Sequence, residues 1–188
     1  MALQQLTLGG GCFWCIEAAF SQVIGVHSAI SGYMGGHQSD PNYQQVCTGT
    51  TGHAEVVQIS FEDSEVDIVE LLQIFFTLHN PTELNRQGHD VGTQYRSVLF
   101  YRDNAEQQLF SQYIAELTQA AIFDQPIVTK LEPIAQFYPA EDYHQGYFFG
   151  NPQQMYCQVV VKPKLLKFAN NFAKHLRKSC RLSLRNCD

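Results

Sequence analysis

Apolar and polar positions alternate along this 188-residue chain with two different periods. Spacings of three and four mark helices, and spacings of two mark strands. LQQLTL at 3–8 reads as a short strand. It runs into Gly9, Gly10 and Gly11, after which Cys12, Ile16, Ala19, Phe20 and Val23 fall on one helical face. GVHSAISGY at 25–33 is a second strand, and MGGHQSDPN at 34–42 has the Gly, Asp, Pro and Asn density of a loop. HAEVVQISF at 53–61 is the clearest strand, with Glu55, Val57, Ile59 and Phe61 alternating onto one face. A helix from Asp67 to Leu78 carries Ile68, Leu71, Leu72, Phe75 and Phe76, with Asp67 as its cap. Residues 80–93 are polar, with glycine and proline, and read as a long loop. YRSVLFY at 95–101 is a strand, 104–121 a helix starting near Asp103, and 131–137 a further strand before the aromatic stretch YPAEDYHQGYFFGNP.

Strands and helices intermix without the regular repeat of a doubly wound sheet, which predicts an α+β fold with a layer of helices on a mixed sheet. The length suits one such domain, assigned to 1–161. Residues 162–188 form a basic appendage: Leu165, Phe168, Phe172 and Leu176 make the apolar stripe of an amphipathic helix, with Lys164, Lys167, Lys174 and Arg177 outside it. That stripe is expected to dock on the body in preference to an anionic surface, and the last residues to fray.

With 45% hydrophobic and 16% charged residues the chain has enough apolar surface to fold, which excludes disorder. The net charge of −6 conceals a division: residues 162–188 hold eight of the twelve Lys and Arg and one acid, Asp188. The acidic body repels phosphate, so general nucleic-acid binding is not expected. No apolar run reaches membrane-spanning length, and MALQQLTLGG lacks the features of a secretory leader, so the sequence is read as soluble and cytoplasmic, expected to be monomeric. In that reducing compartment six cysteines are potential reagents rather than cross-links.

GGGCFWC at 9–15 carries the most chemistry. Three glycines admit a ligand to the backbone, and a helix start offers free N–H groups and positive dipole to a Cys12 thiolate, which predicts a lowered thiol pKa. Phe13 and Trp14, the only tryptophan, put aromatic surface beside the sulfur. Cys12 and Cys15 form a C-x-x-C, which alone suggests a thiol-disulfide oxidoreductase. No second close cysteine pair is present for zinc, so no metal is expected. Glu55 lies on an apolar strand face, where desolvation keeps a carboxyl protonated near neutrality, unless it sits at the strand's exposed start. A cysteine hydrolase using His53 or His144, and a sensor that uses Cys12 without turnover, remain open alternatives.

GGGCFWC with Glu17, then GYMGG, PNYQQVCTGTTGHAEVVQISF, NPTELNRQGHDVGTQYRSVLFY and AEDYHQGYFFGNP, together resemble the A-type peptide methionine sulfoxide reductases, over roughly residues 5 to 157. The resemblance implies a single-domain two-layer sandwich with a ferredoxin-like core. It implies that Cys12 attacks the sulfoxide of the S epimer, that Phe13 and Trp14 receive the substrate methyl group, that Glu55, Tyr43 and Tyr95 surround the oxygen, and that Asp90 orders the site. It further implies no cofactor, an intramolecular disulfide, and thioredoxin or another dithiol as reductant. Many relatives carry a glycine-rich G-Y-C tail; here QMYCQVVVKPK keeps Tyr156 and Cys157 but has Met155 in place of the glycine. Cys157 is the expected resolving thiol, with Cys15 and then the tail pair Cys180 and Cys187 as the alternatives.

Overall fold

Strand β1 (Gln4–Gly9) is followed by α1 (Phe13–Phe20), β2 (Val26–Met34), α2 (Tyr43–Cys47), β3 (Ala54–Phe61) and α3 (Ile68–Leu78). Next come the two-residue strands β4 (Arg86–Gln87) and β5 (Asp90–Val91), then β6 (Val98–Tyr101), α4 (Asn104–Gln119), β7 (Lys130–Pro133) and β8 (Tyr138–Pro139). The chain closes with α5 (Tyr147–Gly150) and α6 (Lys162–Asn171). These elements come from a computed structural model that describes residues 3–177; Cys180, Cys187 and the terminal segment expected to fray lie outside the described residues.

Six strands form one mixed sheet in the order β7-β6-β1-β3-β2-β8. All neighbours are antiparallel except β6 and β7. The inner four, with α1 and α3 as crossovers, make the β-α-β-β-α-β arrangement of a ferredoxin-like core. The glycine-rich loop after β1 therefore leaves a strand paired on both sides. One face is covered by α1, α3 and α6, which pack on one another around Phe20, Leu72, Phe75 and Phe168. The other face carries a smaller cluster of Met34, Ala54, Val56, Val98 and Phe100. β3 is thus buried on both faces at its start, a consequence of its central place that a strict two-residue alternation does not reveal.

Local sequence explains several boundaries. Asp67 accepts from the Glu70 N–H while Glu70 reaches back to the Asp67 N–H, a complete capping box at the start of α3. Asp103 caps α4 through the Glu106 N–H. The polar stretch at 80–93 is more ordered than the loop expected from its composition. Gln87 is buried, its side chain clamps the backbone of Asn80, and β4 pairs with β5. Side-chain hydrogen bonds do there what apolar periodicity does elsewhere. The basic tail also docks: Leu165, Phe168, Phe172 and Leu176 are buried, Val23 bridges to Leu176, and His175 reaches Glu70 at 3.0 Å. The helix is shorter than its stripe, because after Asn171 the chain continues as a 3₁₀ turn over Ala173–His175. Among the described residues, no helix is long and apolar enough to cross a membrane.

Candidate active site

The glycine run lets β1 and the following turn lie hard against their neighbours. A Cβ on Gly9 would stand 2.5 Å from the Glu55 carbonyl oxygen, and one on Gly10 2.7 Å from the His79 ring. Gly11, at φ +84°, reverses the chain and donates its N–H to the Tyr95 carbonyl at 3.1 Å. Cys12 follows as the cap residue of α1, extended at φ −62°, ψ 127°.

The helix start serves a different partner from the one expected. The Phe13 N–H donates to Glu55 Oε2 at 3.1 Å, so the carboxyl of the adjacent strand takes the open end of α1. Cys12 is almost wholly buried. Burial pushes its thiol well above the ordinary range; a hydrogen bond with Cys15 and the Glu55 charge act in the same direction, and only the Trp14 N–H opposes them. The lowered pKa expected from the helix start is therefore not present in the free protein: desolvation outweighs the dipole. The hydrogen bond from Cys12 instead holds Cys15 below its usual value.

Glu55 is not at an exposed strand end. It is 1% exposed, opposite Tyr33 in the sheet, and burial pushes its carboxyl up to about 8. Tyr43 opens α2, whose start is fixed by an Asn42 and Gln45 capping box, and Tyr95 ends a 3₁₀ turn over Thr93–Tyr95. Burial first, and the Glu55 charge second, push both phenols well up, so Glu55 lies within electrostatic reach of both. Asp90 on β5 accepts the Tyr156 hydroxyl at 2.5 Å. Cys12, Phe13, Glu55, Tyr43, Tyr95 and Asp90 thus converge from five separate segments.

An aromatic wall encloses this cluster. Trp14 lies flat on Tyr147, with ring centroids 3.7 Å apart and planes within 6°. Tyr156 meets it edge-on at 5.7 Å, and the indole N–H donates to His144 Nδ1 at 3.0 Å. His144 also touches Phe13 at 5.0 Å and Tyr43 at 4.5 Å between ring centroids. Glu141 accepts from the Tyr33 hydroxyl and the Tyr43 N–H, each at 2.8 Å, tying β2 to α2. The two histidine candidates meet partners other than a thiol. His53 bonds the Gly36 N–H and the Gln38 carbonyl, and His144 meets the tryptophan rather than a thiol, so neither forms a cysteine-histidine pair. A cleft of about 1230 Å³ beside the site shares Asp90 and Tyr156 with it. Among the described residues, no group of three or more His, Cys, Asp or Glu is placed to hold a metal ion.

The family model described as peptide methionine sulfoxide reductase matches residues 4–176. The chain belongs to this family. A peptide methionine sulfoxide reductase MsrA from Chromobacterium violaceum is 53% identical over 175 residues, covering 93% of this chain and 99% of that protein. The reduced form of Mxr1 from Saccharomyces cerevisiae superposes with a TM-score of 0.75 at 36% identity, covering 82% of this chain and 89% of that one. Mxr1 in complex with Trx2 matches with a TM-score of 0.53 at 26% identity, over 77% of this chain and 84% of that one.

In this member of the reductase family Cys157 is fully buried at the start of a π-helical turn, Cys157–Val161, that leads into α6. Burial raises its thiol, and the neighbouring Cys15 adds to the effect. Cys15 is buried in the first turn of α1, and Cys47 is exposed. Sequence reasoning had no role for Tyr147, Tyr156, Glu141 or Tyr33. The density of aromatic and acidic residues in YPAEDYHQGYFFGNP is the signal that marks the first and third of them.

Proposed function

We propose that this chain is a thiol-dependent oxidoreductase that reduces the S epimer of methionine sulfoxide, free or in proteins, through Cys12, with Glu55 as proton donor. The observation that carries the reading is the pairing of a sealed cysteine with a carboxyl that stays protonated to about pH 8 and touches the next residue's N–H. A sulfoxide sulfur accepts a thiol nucleophile only if its oxygen is protonated as it leaves.

Glu55 donates to the sulfoxide oxygen, and Tyr43 and Tyr95, both held protonated, add neutral hydrogen bonds. Phe13 and Trp14 form the apolar wall for the substrate methyl group. As Glu55 gives its proton to the oxygen and the sulfur attacks, the Cys12 proton passes back to the Glu55 carboxylate, so the thiol is activated in the complex and not before it. The substrate sulfur gains two electrons and Cys12 loses two, becoming a sulfenic acid. A second thiol, assigned to Cys157, condenses with it to a disulfide and water, and an external dithiol reduces that disulfide. The Mxr1–Trx2 match supports thioredoxin as that dithiol. Tyr156 bonded to Asp90 next to Trp14 would be displaced or reused as Cys157 approaches.

The test is incubation with racemic methyl p-tolyl sulfoxide and dithiothreitol. Catalytic sulfide formation from a single enantiomer is expected, and its loss in Cys12→Ser. Turnover of both enantiomers, or disulfide reductase activity without sulfide, would overturn the assignment.

A further inference from the structure

Glu17 is buried in α1 with no part in the chemistry above, although burial pushes its carboxyl up to about 7. Its Oε1 accepts the Gly146 N–H at 2.7 Å across 129 residues of sequence. The Ser31 side chain faces the same carboxyl from β2. Gly146 is left-handed, at φ +63° and ψ +22°, and caps α5, whose first residue is Tyr147. The preceding residue, Gln145, is fastened to β2 by its side chain: Oε1 accepts the Ser31 N–H at 3.0 Å, and Nε2 donates to the Ser31 and Ala140 carbonyls at 2.9 and 3.0 Å.

Gln145 therefore fixes where the segment lies, and Glu17 fixes the direction of the turn that launches Tyr147. We propose that Glu17 is a positioning residue that holds Tyr147 flat against Trp14 through the Gly146 N–H. Glu17 lies three residues beyond Trp14 on the same helix, so one turn of α1 supplies both the indole and the anchor for the ring stacked on it. Without that anchor the turn keeps the Gly150 N–H on the Gly146 carbonyl at 3.0 Å, while Gly146, the least restricted of residues, no longer has its own N–H held in one direction. The catalytic consequence rests on the reading of Trp14 as substrate wall.

Trp14 is the only tryptophan, so its fluorescence reports the stack directly. Glu17→Gln keeps an acceptor at the same reach, and wild-type emission and kinetics are expected. Glu17→Met keeps the length without the acceptor, and a shifted Trp14 emission with greater acrylamide quenching is expected. Glu17→Asp withdraws the acceptor by about 1.5 Å and is expected to act in the same direction; it serves if the Met variant does not fold. With Tyr147→Leu already present, the Met or Asp change is expected to add nothing to the emission. Unchanged emission in both Glu17→Met and Glu17→Asp, or an equal response with and without Tyr147, overturns the proposal. In the same variants KM for methionine sulfoxide is expected to rise about two- to ten-fold with kcat little changed, the affinity equivalent of one aromatic pair. Altered emission with unaltered KM would keep Glu17 as the anchor of the stack and remove Trp14 from the substrate wall.

Discussion

Replacing Glu55 by Gln separates what its proton does for catalysis from what it costs the fold. The carboxyl rises from an ordinary 4.5 to about 8, chiefly by burial, so the folded protein holds this proton over a pH range in which the unfolded chain has lost it. The folded state then binds more protons than the unfolded one, and stability falls as pH rises from about 4.5 to 8, levelling above that. Each pH unit across that window is worth about 1.4 kcal/mol. The full cost of the ionisable group at pH 8 therefore approaches about 5 kcal/mol, with local relaxation and water entry reducing it. A glutamine cannot ionise, yet its amide oxygen still accepts the Phe13 N–H bond now made at 3.1 Å. The variant should thus gain on wild type steadily between pH 5 and pH 8 in urea unfolding, while its single-turnover reduction slows by about 10² to 10⁴. A stability difference independent of pH across this window would refute the elevated carboxyl. Full single-turnover rate at saturating substrate would refute the acid.

Three other changes probe different layers. Cys157→Ser is expected to release one methionine per chain and then stop with thioredoxin as reductant, while peptide mapping of the wild-type enzyme after one equivalent of sulfoxide finds Cys12 joined to Cys157; normal cycling of the variant would give the role to Cys15. Gly10→Ala puts a Cβ 2.7 Å from His79 Cδ2, in a ring pinned between the Phe75 carbonyl and the Ser97 hydroxyl, and should cost about 1 to 3 kcal/mol in urea unfolding. Phe168→Ala empties a buried position where α6 meets the core and should lower stability by about 3 to 5 kcal/mol, a loss that an independently solvated tail would not show.

Where one periodicity dominates, the sequence is a sufficient guide. The boundaries of β1, β2, β3, α3 and α4 lie close to those expected from alternation and caps. The short helix α2, which presents Tyr43, is invisible to periodicity because five residues make little more than one turn; its Asn42 and Gln45 capping box was the available sign. The ordered 80–93 segment was missed for the reason that polar clamps leave no hydrophobic period. At the site, Glu55 was legible because a carboxylate in an apolar strand is anomalous in itself. The state of Cys12 was not: a helix start argues for a thiolate, but only three-dimensional packing reveals that Glu55 takes the helical N–H and that burial outweighs the dipole. Tyr147 and Tyr156 approach Trp14 from more than 130 residues away, a proximity that no local pattern encodes.

The two thiols assigned to the catalytic cycle sit in frameworks of unequal stiffness, which should give the two half-reactions different responses to temperature. Cys12 and Glu55 are set by β1 and β3, each hydrogen-bonded on both sides, so their spacing persists as long as the sheet does. Cys157 is buried in a π-helical turn at the margin, and the resolving role proposed for it would require that turn to open. Such an opening is a small unfolding event, and unfolding rates climb about 3- to 6-fold per 10 °C. Cooling should therefore throttle the regeneration of the enzyme more than the repair step itself. In the cold, Cys12 would accumulate as sulfenic acid, and the turnover of the whole cycle would be timed by a helix end.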